Sequence, residues 1–325
     1  MSHQTTPLVS VICLTYNKST YVEETLTSVV EQTYQNIELI IVDDASKDNT
    51  AAMLKAFKDE SPFAELILLD KNVGMCAAFN LGLKRCKGKY VIDLAGDDVL
   101  VPNRIEKQVA ALEQAGKSYG VAFSDAWIIN GKSEAKGTFY PRNSDGQLKK
   151  LIPQGDLYKY LIGLQLISSP TMMMRKSMLV EMGGYDETLS YEDYDFWIRS
   201  SRKYKYLFQD EMLTKKRVAD GSSSTGWFIR KNNAFLKSTL RICQKAFTLN
   251  ESKEEDHCLA VSVRYHLRQA VFMECFFLAK GYAGLLKKLD RLKLGDKFFI
   301  SLAVAHISLN RPYQGYLKLK KLFLA

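Results

Sequence analysis

The sequence predicts an α/β protein with a mostly parallel, helix-flanked sheet and a helical C-terminal region. Short β-rich runs alternate with helical patterns over roughly the first hundred residues, which is typical of βαβ units. Beyond a Gly- and Ser-rich break at 220–226 the pattern is almost wholly helical. The 325 residues are 46% hydrophobic, an ordinary globular composition. We therefore expect two domains, at 1–225 and 226–325.

The spacing of apolar residues predicts the individual elements. Strands are expected at 9–14, 37–42, 66–69, 90–94, 119–129 and 168–175. Helices are expected at 19–32, 48–57, 75–86, 103–114 and 194–203. The polar stretch 130–153 is predicted to be a long loop, a kind of segment that is often functional.

Polar clusters follow three of the predicted strands, at 15–17, 43–46 and 96–98. Ligands of open parallel sheets bind beyond the carboxyl ends of the strands, so these clusters predict a cleft. In it, Tyr16 can stack on a nucleobase, and Asp44 can accept the imide N–H of a pyrimidine. Asp97 can hold a hard cation that neutralises a diphosphate. The alternative is that these acidic residues only cap a helix or precede a turn.

Three blocks of sequence resemble a known family. They are VSVICLTYNKSTYVEETLTSVVEQTYQNIELIIVDDASKDNT, then NVGMCAAFNLGLKRCKGKYVIDLAGDDVLVPNRIEKQ, then MRKSMLVEMGGYDETLSYEDYDFWIR. In this order they are similar to the inverting glycosyltransferases of family 2, which have the nucleotide-sugar-binding GT-A fold. The resemblance implies a GT-A domain that uses a nucleotide-sugar donor and a divalent cation, Mn²⁺ or Mg²⁺.

The resemblance also implies roles for the matched residues. Thr15 and Tyr16 would line the base pocket, and Asp44 would contact uracil or thymine. Asp97 would be the metal ligand of the family's Asp-x-Asp element, and Asp98 would support the ribose or the metal shell. This chain departs from the usual family pattern at three positions, which are Phe79, Ala95 and Ala219.

The resemblance implies that Asp193 is the catalytic base and that Glu192 orients the acceptor or the base. An inverting transfer needs one base to remove the acceptor proton while the nucleoside diphosphate leaves from the opposite face. The alternative is that the acidic run 191–195 only favours the start of a helix. No Gln-x-x-Arg-Trp motif follows this run, which favours the addition of a single sugar.

The expected function is therefore transfer of one sugar from a UDP- or dTDP-linked donor to a glycan or lipid-linked acceptor, in bacterial surface polysaccharide, lipopolysaccharide or capsule synthesis. Two other functions stay open: a non-catalytic nucleotide-sugar or glycan-binding module, and a sugar nucleotidyltransferase. The second usually needs a glycine-rich phosphate loop near the first strand, and 14–20 contains no glycine. The polar N-terminus resembles no secretory signal, so we expect a cytoplasmic protein.

The basic charge is concentrated near the C-terminus. From Trp227 onward there are 18 Lys and Arg against 7 Asp and Glu, whereas the whole chain carries +9. Three interpretations compete: a helical cap with a solvated basic face, a nucleic-acid-binding tail, and a tail on an anionic membrane. We favour the membrane through amphipathic stretches at 282–294 and 313–324, with Lys318, Lys320 and Lys321 facing lipid. No base-reading or base-stacking motif accompanies the charge, so we expect no nucleic acid.

Overall fold

The structure is a computed structural model that describes residues 6–163, 166–218 and 229–324. The chain forms two compact units. The sheet unit takes in Met1–Leu157, Ile167–Glu187 and Ser200–Asp220. The helical unit takes in Tyr158–Leu166, Thr188–Arg199 and Gly221–Ala325. Two segments that precede residue 200 thus group with the C-terminal helices, and the domain boundary at 225 stays a prediction.

All strands of the described chain belong to the sheet unit. They are β1 (Val9–Thr15), β2 (Ile37–Asp43), β3 (Ala64–Leu68), β4 (Tyr90–Ala95), β5 (Val99–Leu100), β6 (Tyr119–Ile129), β7 (Ala135–Thr138), β8 (Met173–Arg175) and β9 (Lys205–Arg217).

The helices differ in length from six residues to twenty. They are α1 (Val22–Val30), α2 (Thr50–Glu60), α3 (Met75–Arg85), α4 (Arg104–Ala115), α5 (Tyr158–Gly163), α6 (Lys176–Glu181), α7 (Glu192–Ser201), α8 (Ala234–Leu249), α9 (Lys253–Phe272), α10 (Phe276–Lys288), α11 (Leu294–Val304) and α12 (Asn310–Leu324).

The sheet has the order β3-β2-β1-β4-β8-β6-β9-β5, and β7 pairs with β6. The strands β3, β2, β1 and β4 are parallel, as are β6 and β9, whereas β8 is antiparallel to both of its neighbours. The predicted α/β class with a mostly parallel sheet is confirmed. The four strands β1 to β4 can be parallel because the helices α1, α2 and α3 connect them, and each helix carries the chain back to the edge where the next strand begins.

Helices cover both faces of the parallel half. On one face, α1 places Val22, Leu26 and Val29 in a fully buried cluster with alternate residues of β1, β2 and β4. On the other face α3 lies so close that a Cβ at Gly82 would stand 2.7 Å from Ile12 Cγ2. Beside it, the buried Phe79 ring stacks on Tyr185 at 4.2 Å. Phe79, a departure from the usual family pattern, is thus a core residue.

The strands β5, β7 and β9 were not predicted from the sequence. The strand β9 escaped notice because six of its thirteen residues are charged, although it pairs with β6 along most of its length. The predicted loop 130–153 is wrong in part, because β7 pairs with β6 inside it. Arg142, later in the same stretch, links it to β6 through an ion pair with the buried Asp125 at 2.8 Å.

In the helical unit, α9 packs against α5, α8, α10, α11 and α12. Side chains cap two helices as elementary rules predict: Asn233 accepts the Leu236 N–H at 2.9 Å, and Ser252 accepts the Glu255 N–H at 3.2 Å. The amphipathic stretch predicted at 282–294 is not one helix, since α10 ends at Lys288. Its apolar face, including Tyr282, is buried. No helix in the described ranges is both long and apolar enough to cross a bilayer.

Candidate functional site

The ends of β1, β2 and β4 lie side by side at one edge of the sheet. Thr15 is opposite Asp43 across the β1–β2 pair, and Leu14 is opposite Ala95 across the β1–β4 pair. The residues that follow each strand therefore leave the sheet at the same edge. The structure thus brings Thr15, Tyr16, Asp44, Asp97 and Asp98 together at this edge.

Thr15 and Asp43 stabilise the edge from within. The Thr15 hydroxyl donates to Asp43 Oδ1 at 2.9 Å, and the Ser46 N–H donates to Asp43 Oδ2 at 2.9 Å. Both Thr15 and Asp43 are buried, so their polar groups serve the loop that follows β2. Tyr16, next to Thr15, is 41% exposed and presents a ring that a planar base can stack on.

Asp44 holds the loop that leads into α3. Its two carboxylate oxygens accept the backbone N–H groups of Val73, at 2.6 Å, and of Gly74, at 2.9 Å. Its own N–H donates to the Thr15 carbonyl at 2.9 Å. A carboxylate oxygen has a second lone pair, so this structural role leaves Asp44 able to accept one more N–H.

The turn from β4 to β5 carries Asp97 and Asp98 and lies directly against β1. The Gly96 N–H donates to the Leu14 carbonyl at 2.8 Å, and a Cβ on Gly96 would stand 2.7 Å from Thr15 Cγ2. Only glycine allows this approach without displacing the end of β1. The turn is thereby fixed next to the residues that follow β1.

The two carboxylates of this turn have different surroundings. Asp97 is part-exposed, and the Lys18 ammonium pairs with its Oδ2. In the described chain no residue donates to Oδ1 of Asp97. Asp98 is buried and accepts the Arg217 N–H at 2.8 Å. Burial, and then the neighbouring charge of Asp97, raise the pKa of Asp98 to about 7.

The turn fits a hard divalent cation that a diphosphate also holds. The described residues contain no cluster of three or more His, Cys, Asp or Glu side chains that could cage a metal. Mg²⁺ in phosphate-handling sites typically has one or two carboxylates, with phosphate and water oxygens as its other ligands. Asp97, part-exposed and with an uncontacted oxygen, suits that arrangement, whereas the buried Asp98 instead positions the turn.

Arg217, at the end of β9, holds this turn from behind. Its fully buried guanidinium donates to the carbonyl oxygens of Asp97 at 2.8 Å and Asn130 at 2.9 Å. It also pairs with Glu24 of α1 at 2.6 Å and lies 4.5 Å from the centre of the Tyr21 ring. The sequence did not predict this structural role of Arg217, because the strand β9 that carries it was not predicted. Ala219 and 220–225 lie outside the described residues.

Glu192 and Asp193 begin α7, and in the structure they lie in the helical unit. Asp193 Oδ1 accepts the Tyr194 N–H at 2.8 Å, and both acidic side chains are half-buried. In the same first turn, Asp195 is buried between Arg199 at 2.6 Å and Lys245 at 2.7 Å. These ion pairs hold the start of the helix, and with it the two carboxylates of Glu192 and Asp193, in a fixed position. The same arrangement agrees with the alternative that the acidic run 191–195 only favours the start of a helix through the helix dipole.

Comparison with known sequences identifies the family. The model described as Glycosyl transferase family 2 matches residues 10–183. An uncharacterized glycosyltransferase of Rickettsia prowazekii is 33% identical over 213 residues, which cover 65% of this chain and 64% of that protein. One from Rickettsia typhi is 31% identical over 67% of this chain and 66% of its own length. The chain thus spans about two thirds or less of the length of these relatives.

Comparison with solved structures supports the fold. S. aureus TarS 1-349, solved in complex with UDP, has a TM-score of 0.68 at 18% identity, covering 92% of this chain and 87% of TarS. The mannosyltransferase PcManGT of Pyrobaculum calidifontis, solved with GDP-Man and Mn²⁺, has a TM-score of 0.59 at 16% identity. The match covers 98% of this chain and 85% of PcManGT. At these identities the likeness establishes the fold alone.

The buried contacts of Arg217 predict a large effect of its removal on stability. Arg217→Met should lower the free energy of unfolding by about 3 kcal/mol, because the carbonyls of Asp97 and Asn130 lose their donor and the pairing of the buried guanidinium with Glu24 is lost. Glu24→Gln, which keeps an acceptor on a part-exposed side chain, should cost under about 1 kcal/mol. Urea unfolding followed by circular dichroism measures both, and an Arg217→Met protein as stable as the wild type would contradict this role.

Proposed function

Because the chain belongs to glycosyl transferase family 2, we propose that it transfers one sugar from a UDP- or dTDP-linked donor to an acceptor hydroxyl, with inversion and with Mn²⁺ or Mg²⁺. The observation that carries this proposal is the single sheet edge that holds Tyr16, Asp44 and Asp97. A nucleoside diphosphate needs an aromatic ring to stack on its base, a carboxylate to accept the N–H of that base, and a part-exposed carboxylate to hold a cation. TarS bound to UDP, and PcManGT bound to GDP-Man and Mn²⁺, support the same donor chemistry.

In this proposal Tyr16 stacks on the base, Asp44 accepts its imide N–H, and Thr15 keeps both in place. Asp97 would hold the cation, which supplies positive charge for the leaving diphosphate when it is bound. Asp98 would act through its contact with Arg217, by holding the turn.

Asp193 would accept the proton of the acceptor hydroxyl, and Glu192 would orient that hydroxyl or Asp193 itself. The ion pairs of Asp195 fix the same first turn that carries Asp193, so the base would keep its direction without help from the substrate. The acceptor would be a glycan or a lipid-linked glycan in bacterial surface polysaccharide synthesis.

The direct test is a screen of nucleotide sugars for Mn²⁺-dependent release of nucleoside diphosphate. We expect release from a UDP- or dTDP-sugar when a glycan acceptor is present, and loss of release in EDTA. Binding of the nucleotide sugar without release under any condition would favour the non-catalytic module. Release of pyrophosphate from a nucleoside triphosphate and a sugar phosphate would favour the nucleotidyltransferase.

Two substitutions separate catalysis from donor binding. Asp193→Asn should lower the transfer rate about a thousandfold, because a general base contributes roughly that factor, while the donor binds normally. Asp97→Asn should weaken Mn²⁺-dependent binding of the donor, measured by calorimetry. Asp145→Asn, on an exposed turn, is the matched control and should change neither quantity. Near-normal turnover of Asp193→Asn would show that another group is the base.

We also propose that the helical unit rests on an anionic membrane, at the cytoplasmic face. Large apolar side chains stand in solvent on α10 and α11: Phe277 is 86% exposed, Leu294 83% and Phe298 57%. Leu294 and Phe298 are one turn apart on α11, so they share a face. Stacking of Phe276 on His306 at 5.1 Å brings the start of α10 beside the end of α11.

Charge on the same helices favours anionic lipid as the partner. From Phe276 to the C-terminus there are ten Lys and Arg and two Asp. One of these two, Asp296, is buried against Arg264 at 2.9 Å and does not offset the surface charge. Lys293 and Lys297 are exposed beside the apolar face of α11. Apolar side chains beside lysines are the composition of helices that lie in a membrane interface.

Vesicle flotation tests the membrane proposal. The protein should float with phosphatidylglycerol vesicles and much less with phosphatidylcholine, and salt should weaken binding. Replacing Leu294 and Phe298 together by Ser should reduce binding at least about tenfold, because the inserted apolar area is lost. Phe63→Ser, at an exposed phenylalanine of the sheet unit, should have no effect. No binding to either vesicle would leave a helical cap with a solvated basic face.

A further inference from the structure

A lysine already supplies positive charge at the proposed cation site. Lys18 lies between β1 and α1, and its ammonium pairs with Oδ2 of Asp97. In the described part of the chain no other residue donates to the Asp97 carboxylate. The Lys18 ammonium would therefore compete with a divalent cation for the Asp97 carboxylate.

The backbones on both sides of this ion pair are fixed. The Lys18 N–H donates to Thr50 Oγ1 at 2.8 Å, and the N–H groups of Tyr21 and Val22 donate to the Lys18 carbonyl at 2.9 Å. On the other side, Arg217 holds the Asp97 carbonyl. Any change in this pair must therefore come from side-chain rotation, which the flexible four-carbon stem of lysine allows.

We propose that Lys18 is a built-in counter-ion that Asp97 exchanges for the metal when the donor binds. Before the donor arrives, the ammonium neutralises Asp97 and weakens the binding of a free cation. When a diphosphate and a cation enter together, the cation takes over Asp97 and the ammonium turns to a diphosphate oxygen. This inference rests on the proposed function, because it assumes that a cation-bound diphosphate occupies this edge.

The exchange gives Lys18 opposite effects on two binding equilibria. The free protein resists the loss of its ion pair, so the lysine opposes binding of Mn²⁺ alone. The nucleotide-bound protein gains a charge-assisted contact to phosphate, so the same lysine favours binding of the diphosphate. A lysine that only stabilised the loop would not produce these opposite signs. Metal and diphosphate would then bind most favourably together, which is a coupling between two ligands.

Calorimetry on Lys18→Met tests the proposal. The variant should bind Mn²⁺ without nucleotide about tenfold more tightly than the wild type, and should bind UDP in EDTA about tenfold more weakly. Lys18→Arg, which keeps the charge, should stay close to the wild type in both measurements. Lys47→Met is the matched control, since Lys47 lies on the neighbouring loop and forms no ion pair in the described chain; it should change neither affinity.

A double-mutant cycle with Asp97 identifies the partner. In the Asp97→Asn background, Lys18→Met should no longer tighten Mn²⁺ binding, because the carboxylate for which the two cations compete is gone. Unchanged or weaker Mn²⁺ binding by Lys18→Met alone would overturn the exchange, even if the wild type binds UDP with Mn²⁺. Failure of the wild type to bind UDP with or without Mn²⁺ would instead remove the proposed function, and this inference with it.

Discussion

The close approach of the β4–β5 turn to the end of β1 is the constraint on which the candidate site depends. Gly96 makes the approach sterically possible, and Arg217 holds the turn from behind through the Asp97 carbonyl. The guanidinium is buried, so each of its contacts forms in a low local dielectric, where a lost partner is costly. The backbone of Asp97 is thereby held in place by Arg217 of β9, which is itself fixed by Glu24 of α1.

The acidic residues at this edge have distinct tasks. Asp43 and Asp44 use their oxygens to hold the loops after β2 and before α3, while Asp98 is buried against the backbone of Arg217. Asp97 differs, because only a flexible ammonium balances its charge. The protein itself supplies hydrogen-bond donors to Asp43, Asp44 and Asp98, whereas Asp97, within the part of the chain that the structure describes, pairs only with the flexible Lys18. Such an edge is suited to a ligand that brings its own cation.

The sequence predicted the parallel half of the fold well, because β1 to β4 are apolar runs separated by periodic helices. It did not predict β9, because this strand is stabilised by pairing with β6 and its own residues are largely charged. The position of Arg217 at the end of β9 was missed for the same reason. The sequence found the acidic residues of the edge but could not tell which are internally satisfied, since those contacts join residues far apart in the chain. For the C-terminal helices the sequence revealed the basic charge but misplaced the exposed apolar side chains, because the apolar positions of α10 face the core of the helical unit.

The proposed function requires Asp97 to share a cation with the diphosphate of a nucleotide at this edge. Anomalous diffraction from crystals grown with UDP and Mn²⁺ tests it most directly. We expect a manganese peak within coordination distance of Asp97, with the uracil ring on Tyr16 and its N–H directed at Asp44. A manganese peak away from Asp97, or a nucleotide bound elsewhere on the protein, would contradict it.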